Sequence, residues 1–362
     1  MRALAIDIGT GTQDILLWDT DGPIENAVQL VMPSPTMRVA KAVRAATARR
    51  RGIALGGRLM GGGPCSWAVG DHHAAGLPVW ATADAARTFN DDLDAVRRDL
   101  GIEIVGEEEL ARLGDVERIT MGDLDLDAVS TACRAFDAEP EYDVLAVAVF
   151  DHGNAPPEVS DRKFRFDYLA SRLKGGGWLT DLGFERSAIP PDMTRLQAVA
   201  ASAPANVPLL VMDTAPAAVL GALDDQRVAE QDELILGNIG NFHALAFHLA
   251  GRQIRGLFEH HTGEVTPTQL LGHMLRLADG TLTNDEIFNS QGHGALVLDP
   301  EPARDPLLTT TGPRQAMLSS VAKVYHAVPH GAMMQAGCFG LLRAVAAKMP
   351  QFREAIEAGL AG

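Results

Sequence analysis

Cysteine is scarce: three residues in 362, Cys65, Cys133 and Cys338, lie far apart and form no CxxC pair. A disulfide framework, a thiolate zinc site and an iron–sulfur cluster held by this chain alone all need closer or more numerous thiols, so these are excluded. Long apolar runs are missing too. No stretch reaches the roughly 18 apolar residues of a spanning helix, and the N-terminus enters a strand without a basic leader. Positive charge is in deficit, with 31 Lys and Arg against 47 Asp and Glu and a formal charge of -16. That argues against nucleic acid as a partner, because such binders neutralise phosphates with a basic face. Hydrophobic residues nevertheless make up 46% of the chain, which supplies a sizeable interior. These absences leave a cytoplasmic, non-membrane protein of two domains or of one large α/β domain.

Residues 3–19 (ALAIDIGTGTQDILLWD) read as strand, Gly/Thr turn, strand, and Asp21-Gly22 follows as a hairpin turn. Helical spacing is present over 40–48 and 126–136, and strands are predicted over 53–55, 79–82 and the wholly apolar 143–150 (DVLAVAVF). A second series begins with the strand PLLVMD (208–213) and the small-residue helix TAPAAVLGAL (214–223), then reaches Asn238-Ile239-Gly240. Laid on the opening, Asp7-Ile8-Gly9 matches Asn238-Ile239-Gly240 without a gap through the following strand, so the chain holds two related α/β halves. The boundary is expected in the Ala/Ser/Pro cluster at 200–206.

The Asp7–Thr12 turn suits phosphate. Gly9 and Gly11 let backbone amides approach anionic oxygens, Thr10 and Thr12 add hydroxyl donors, and Asp7 can hold a hydrated Mg²⁺. A Walker A loop is ruled out by the absence of GK[ST], and a dinucleotide fingerprint by Asp14 and by the strand-like ILLWD; a plain hairpin turn stays open. Of eleven histidines, His152, His260, His261, His293 and His330 lie in or beside glycine-containing turns, where a free ring suits proton transfer or Zn²⁺, Fe²⁺ or Mn²⁺. Each also suits a turn cap. Gly61-Gly62-Gly63-Pro64 opens a helix whose first-turn Cys65 would be acidified there. The run 161–166 (DRKFRF) reads as a solvated edge strand, or as an arginine site for an anionic substrate. Asp91-Asp92-Leu93-Asp94 reads as a helix start.

The order strand–DxGTGT–strand, TAPAAVLGAL, GNIGNFHALAF, LLTTTGPR (307–314) and MQAGCFGLLRAVA (334–346) resembles the actin, sugar-kinase and heat-shock-chaperone ATPase superfamily. More narrowly, MGGGPCSWAV, FDHGN, LFEHHTG, QGHGA and HGAMMQAGCFG are similar to a prokaryotic family labelled pyruvate formate-lyase activating protein. The resemblance implies an α/β, two-domain actin-like ATPase (ribonuclease H-like) fold with duplicated mixed-sheet halves and an interdomain cleft. It implies a lobe over 1–205 with the phosphate-1 loop, a lobe over 206–335 with the phosphate-2 and adenosine loops, and a closing helix over 336–362 that returns to the first lobe. ATP and Mg²⁺ would be held by Asp7, Gly9, Thr10, Gly11 and Thr12 on one side and by Asn238, Gly240 and Asn241 on the other, with Gly312 by the adenosine. A small-molecule acceptor would sit in the cleft, and the resemblance leaves room for a homodimer. Active members usually start the second loop with Asp; Asn238 keeps an acceptor oxygen without the charge. Asp14 or Asp213 then stands as the catalytic carboxylate, with His152 as a further candidate. Alternatively the chain is a nucleotide or metabolite sensor, or a metal-dependent enzyme using its Gly-flanked histidines. A radical activating enzyme needs three closely spaced cysteines for its cluster, and this sequence has none.

Overall fold

The computed structural model describes residues 1–156, 158–174 and 177–361. The opening segment forms β1 (Arg2–Ile8) and β2 (Thr12–Asp19), paired antiparallel with Asp7 opposite Asp14, and β3 (Val28–Pro33) continues the meander on β2. A separate unit is then inserted. Strands β4 (Gly52–Gly57), β5 (Val79–Ala81), β6 (Glu103–Ile104) and β7 (Val116–Met121) make their own parallel sheet in the order β6-β5-β4-β7. Helices such as Pro35–Ala48 and Pro64–Ala74 cover it, around a core that includes Val43, Ile53, Leu55 and Val69. The sequence reading located two of these strands but not their separate sheet.

The chain returns to the first sheet with β8 (Val144–Val149), buried at every position and parallel to β1, as a strand covered on both faces must be apolar throughout. β9 (Gly183–Glu185) and β10 (Leu209–Met212) complete the order β3-β2-β1-β8-β10-β9. β10 corrects the expected boundary at residue 205: it lies parallel to β8 inside the first sheet. The Ala/Ser/Pro cluster is the end of the Thr194–Ser202 helix and the turn into β10, and the chain leaves the first half only through the helix Thr214–Ala222.

The second half repeats the first. β11 (Glu233–Ile239), β12 (His243–Ala250) and β13 (Gln253–His261) form an antiparallel meander. With β14 (Gly294–Val297), β15 (Leu307–Thr311) and β16 (Tyr325–His326) the order is β14-β13-β12-β11-β15-β16, and β15 is parallel to β11. In both sheets three meander strands are extended, beside the first, by two parallel ones. The repeat extends to the turns. β1 and β11 have the same length and the same burial pattern, and the Gly9 amide donates to the Thr12 carbonyl as the Gly240 amide does to that of His243, both at 2.9 Å. The chain is a two-lobed actin-like α/β protein with duplicated mixed sheets.

Two helices join the lobes: Thr214–Ala222 leads out and Ala336–Lys348 leads back to pack on β1, β8 and β10. The last residue of the expected closing segment, Gly362, lies outside the described residues. The two helices cross with backbones in contact. A Cβ on Gly221 would fall on the Ala336 carbonyl, and one on Gly340 on the carbonyl of Ala217, so only hydrogen fits at either position. One apolar cluster runs through the crossing, from Leu16 and Trp18 through Phe339 and Leu341 to Leu236 and Phe247.

The crossing predicts that Gly340→Val lowers stability in urea unfolding by about 3 kcal/mol or more, because a packed interior resists added volume. Gly70→Ala, in a mid-helix position with nothing within 4 Å, should add up to about 1 kcal/mol. A Gly340→Val protein as stable as its parent contradicts the crossing.

Candidate functional site

The crossing brings the two glycine turns face to face. A Cβ on Gly11 would overlap the carboxamide of Asn241, so the β1–β2 and β11–β12 turns touch. Beside this contact a cleft of about 100 Å³, open to solvent, is lined by Asp7, Gly9, Thr10, Thr12 and Asp14 from the first lobe and Asn238, Gly240, Asn241 and His243 from the second. Gly312 lines it from the end of β15. Its φ of +95° and a Cβ that would stand 2.5 Å from Asn238 Oδ1 require glycine, and they close the β15 turn onto the second glycine turn. Eight of the nine residues expected to bind nucleotide or metal therefore border one space, and Gly11 packs at its edge.

The carboxylates in this cleft are unevenly partnered. Asp7 is half-buried, yet its Oδ1 is sealed without a hydrogen bond, and a Cβ on Gly337 would overlap its carboxylate. Asp14 is 7% exposed, also with an unpartnered Oδ1. Burial pushes the Asp14 carboxyl up to about 7; burial, then the charges of Asp14 and Asp213, holds Asp7 well above the usual carboxylate range. Sealed carboxylate oxygens without donors must be protonated or meet a cation. The donor set thus fits a hard divalent ion such as Mg²⁺.

Asp213 is differently placed. It caps the first linking helix through the Ala215 amide at 3.3 Å and accepts from Arg165 Nη1 at 2.8 Å. Arg165, 4% exposed, also donates through Nε to Glu259 Oε2 at 2.7 Å and through Nη1 to the Asp151 carbonyl at 2.9 Å. One guanidinium therefore ties a carboxylate of each lobe. His152 is exposed, its Nδ1 3.1 Å from the Gly153 carbonyl, and it borders an adjoining cavity rather than the paired carboxylates.

That adjoining cavity shares Gly9, Thr10, Phe150, Arg195, Phe242 and His243 with the cleft and extends to the Gly61–Gly63 loop, Arg162, His261 and His293. Residues 161–166 are not an edge strand. Ser160 caps a helix, Asp161–Leu173, by accepting from the Lys163 amide, and Arg165, Phe166, Leu169 and Leu173 fall on its buried face. Cys65 lies in the first turn of Pro64–Ala74 but is buried, and burial pushes its thiol up rather than down. Among the Gly-flanked histidines, His261 and His293 converge and the others do not. His260 turns away to the His261 carbonyl and Ser290, and His330 lies by Asp224 and Glu25. The sequence reading missed Arg165, Glu259 and Phe150. A buried arginine within a charged run leaves no signature until its helix is recognised, and Glu259 stood next to the noted His260-His261 pair.

A family model described as "Putative pyruvate format-lyase activating enzyme (DUF1786)" matches residues 60–317, more than two thirds of the chain. Among solved structures the chain is similar to the ethanolamine utilization protein EutJ from Carboxydothermus hydrogenoformans, at 10% identity over 94% of this chain and 89% of that one, with a TM-score of 0.31. It is similar to the ROK hexokinase from Thermus thermophilus at 12% identity over 97% and 100%, TM-score 0.32, and to the Aquifex aeolicus PPX-GPPA enzyme at 11% over 86% and 67%, TM-score 0.22. At these scores the fold rests on the strand order above. No curated protein matches the sequence.

The raised carboxyls give a pH dependence. An acid whose folded pKa is raised keeps its proton longer when folded, so its burial is uncosted below about pH 4, and metal-free stability falls as pH rises from about 4 through 7. Asp14→Asn should therefore unfold later than the parent at pH 8, by about 2 kcal/mol, and the gap should narrow toward pH 4. A variant no more stable than the parent at pH 8 means that the carboxylate has a partner.

Proposed function

The chain belongs to that family, and from its cleft we propose that it is an ATP-dependent phosphotransferase or ATPase acting on a small metabolite. The observation that carries this reading is the pair of matched glycine turns, one from each lobe, meeting beside sealed, unpartnered carboxylates. The activity named in the family's description is not part of the proposal. A radical iron–sulfur activase needs clustered thiolates, whereas Cys65, Cys133 and Cys338 are each buried in a different helix.

In this reading the amides of Gly9, Thr10 and Gly11 and the hydroxyls of Thr10 and Thr12 hold phosphate oxygens from the first lobe, and Asn238, Gly240 and Asn241 do so from the second. Gly312 leaves room at the adenosine end. Asp7, with Asp14 beside it, would hold Mg²⁺, which when bound offsets phosphate charge. Phosphoryl transfer depends mainly on positioning and on fixed dipoles, which a pair of turns closing from two lobes supplies. The acceptor would occupy the adjoining cavity, whose polar lining includes Arg162 and Arg195, the latter paired with Asp123, together with Asp91 and Asp161. Asp213 would have to leave Arg165 to reach a substrate proton. His152 stands at the rim of the acceptor cavity.

Two observations favour a second reading, a nucleotide sensor without turnover. Asp213 is neutralised by Arg165, and the position equivalent to Asp7 in the second lobe carries the uncharged Asn238. Steady phosphate release from ATP by the parent protein excludes the sensor. Among the described residues no helix is long and apolar enough to cross a membrane.

Calorimetric titration with ATP and Mg²⁺ is expected to show one site per chain, weakened about tenfold or more by Asp7→Ala, which is the loss of one charge-assisted contact of about 1.4 kcal/mol or more. Equal binding by variant and parent, or no binding by the parent, overturns the proposal.

A further inference from the structure

The cleft carries a second donor set that the nucleotide reading does not use. His243 opens β12 and His261 closes β13, directly opposite one another in the antiparallel register; His293 precedes β14, its amide bound to the Glu259 carbonyl at 2.9 Å. Sheet register alone thus gathers three imidazoles at one end of the second sheet. Their ring centroids are 5.1, 5.1 and 4.6 Å apart, and one nitrogen of each ring lies within 4.8 Å of the other two. Tetrahedral bonds of about 2.1 Å put ligand nitrogens about 3.4 Å apart, so small ring rotations bring the three onto one ion.

The surroundings are those of a metal ligand set. Glu259 is fully buried, and its Oε1 lies 3.2 Å from His293 Nδ1 without a hydrogen-bonding alignment, so both atoms are sealed and unpartnered. A carboxylate behind an imidazole is the usual device that orients a metal-bound histidine and raises its basicity. Phe150 stacks on His243 with centroids 4.3 Å apart and fixes that ring. The second Glu259 oxygen is held by Arg165. All three rings border the acceptor cavity, which leaves a coordination position facing it.

We propose that His243, His261 and His293 form a three-histidine site for a first-row divalent transition ion such as Zn²⁺, with Glu259 as the positioning carboxylate and an open position for an oxygen ligand in the acceptor cavity. Three neutral imidazoles with no first-sphere carboxylate suit zinc, iron or cobalt rather than Mg²⁺. None of its ligands is a residue assigned to the nucleotide, and His243 borders both the cleft and the adjoining cavity.

The test uses full-length protein stripped with a chelator and titrated with Zn²⁺ in excess Mg²⁺. One equivalent per chain is expected. His261→Ala and His293→Ala should weaken it at least 100-fold and Glu259→Gln about 10- to 100-fold, whereas His73→Ala, at an exposed position, leaves it unchanged. Should the histidine variants not fold, X-ray absorption on the zinc-loaded parent decides: a shell dominated by nitrogen at about 2.0–2.1 Å supports the site. A first shell of oxygen or sulfur without imidazole, substoichiometric uptake by the parent, or unchanged binding in folded His261→Ala and His293→Ala overturns it.

Discussion

Hydrogen in place of a side chain at Gly221 and Gly340 is the constraint from which the rest of this molecule follows. The two linking helices can cross in backbone contact only because neither position carries a Cβ. That close approach brings two copies of one sheet topology together, with their first hairpin turns in contact. Any separation of the helices would move the Gly9–Gly11 turn away from the Gly240–Asn241 turn and dissolve the cleft. The same helix carries Gly337, whose missing Cβ leaves space for the Asp7 carboxylate. Packing in the core and chemistry in the cleft are thus one arrangement.

Arg165 is the electrostatic counterpart of that crossing. It enters from a helix of the first lobe and is satisfied by Asp213 of that lobe and Glu259 of the other. A buried guanidinium has a large desolvation cost, and two carboxylates with good geometry offset it; loss of either would leave a stranded charge. The pair ties lobe closure to the state of Asp213 and to the carboxylate behind His293. Opening the lobes must break the Glu259 contact, and freeing Asp213 must shift the guanidinium. A ligand that bridges the lobes therefore acts on both groups together.

What the sequence made legible was local. Strand–Gly turn–strand is written within twenty residues, so the repeat of Asp7-Ile8-Gly9 in Asn238-Ile239-Gly240 could be read and is reproduced in lengths, burial and turn hydrogen bonds. Sheet membership was not legible. β4 to β7 carry the same strand–helix alternation as their neighbours, and only long-range pairing sets them in a sheet of their own. β10 follows an Ala/Ser/Pro cluster that looks like a linker, but pairing with β8 keeps it in the first sheet. The Asp161–Leu173 helix was misread because the window closed at Phe166, before Leu169 and Leu173 complete the apolar stripe. Of the histidine cluster, His261 and His293 stood in glycine-containing turns, but His243 has no glycine beside it, and its convergence depends on strand register.

The central claim is that one nucleotide is held between the two lobes. Amide hydrogen exchange with and without a non-hydrolysable ATP analogue and Mg²⁺ tests it most directly. The account predicts slowed exchange at both turns, residues 8–12 and 238–243, and at Gly312. Protection confined to one lobe, or absent from both turns at saturating analogue, contradicts it.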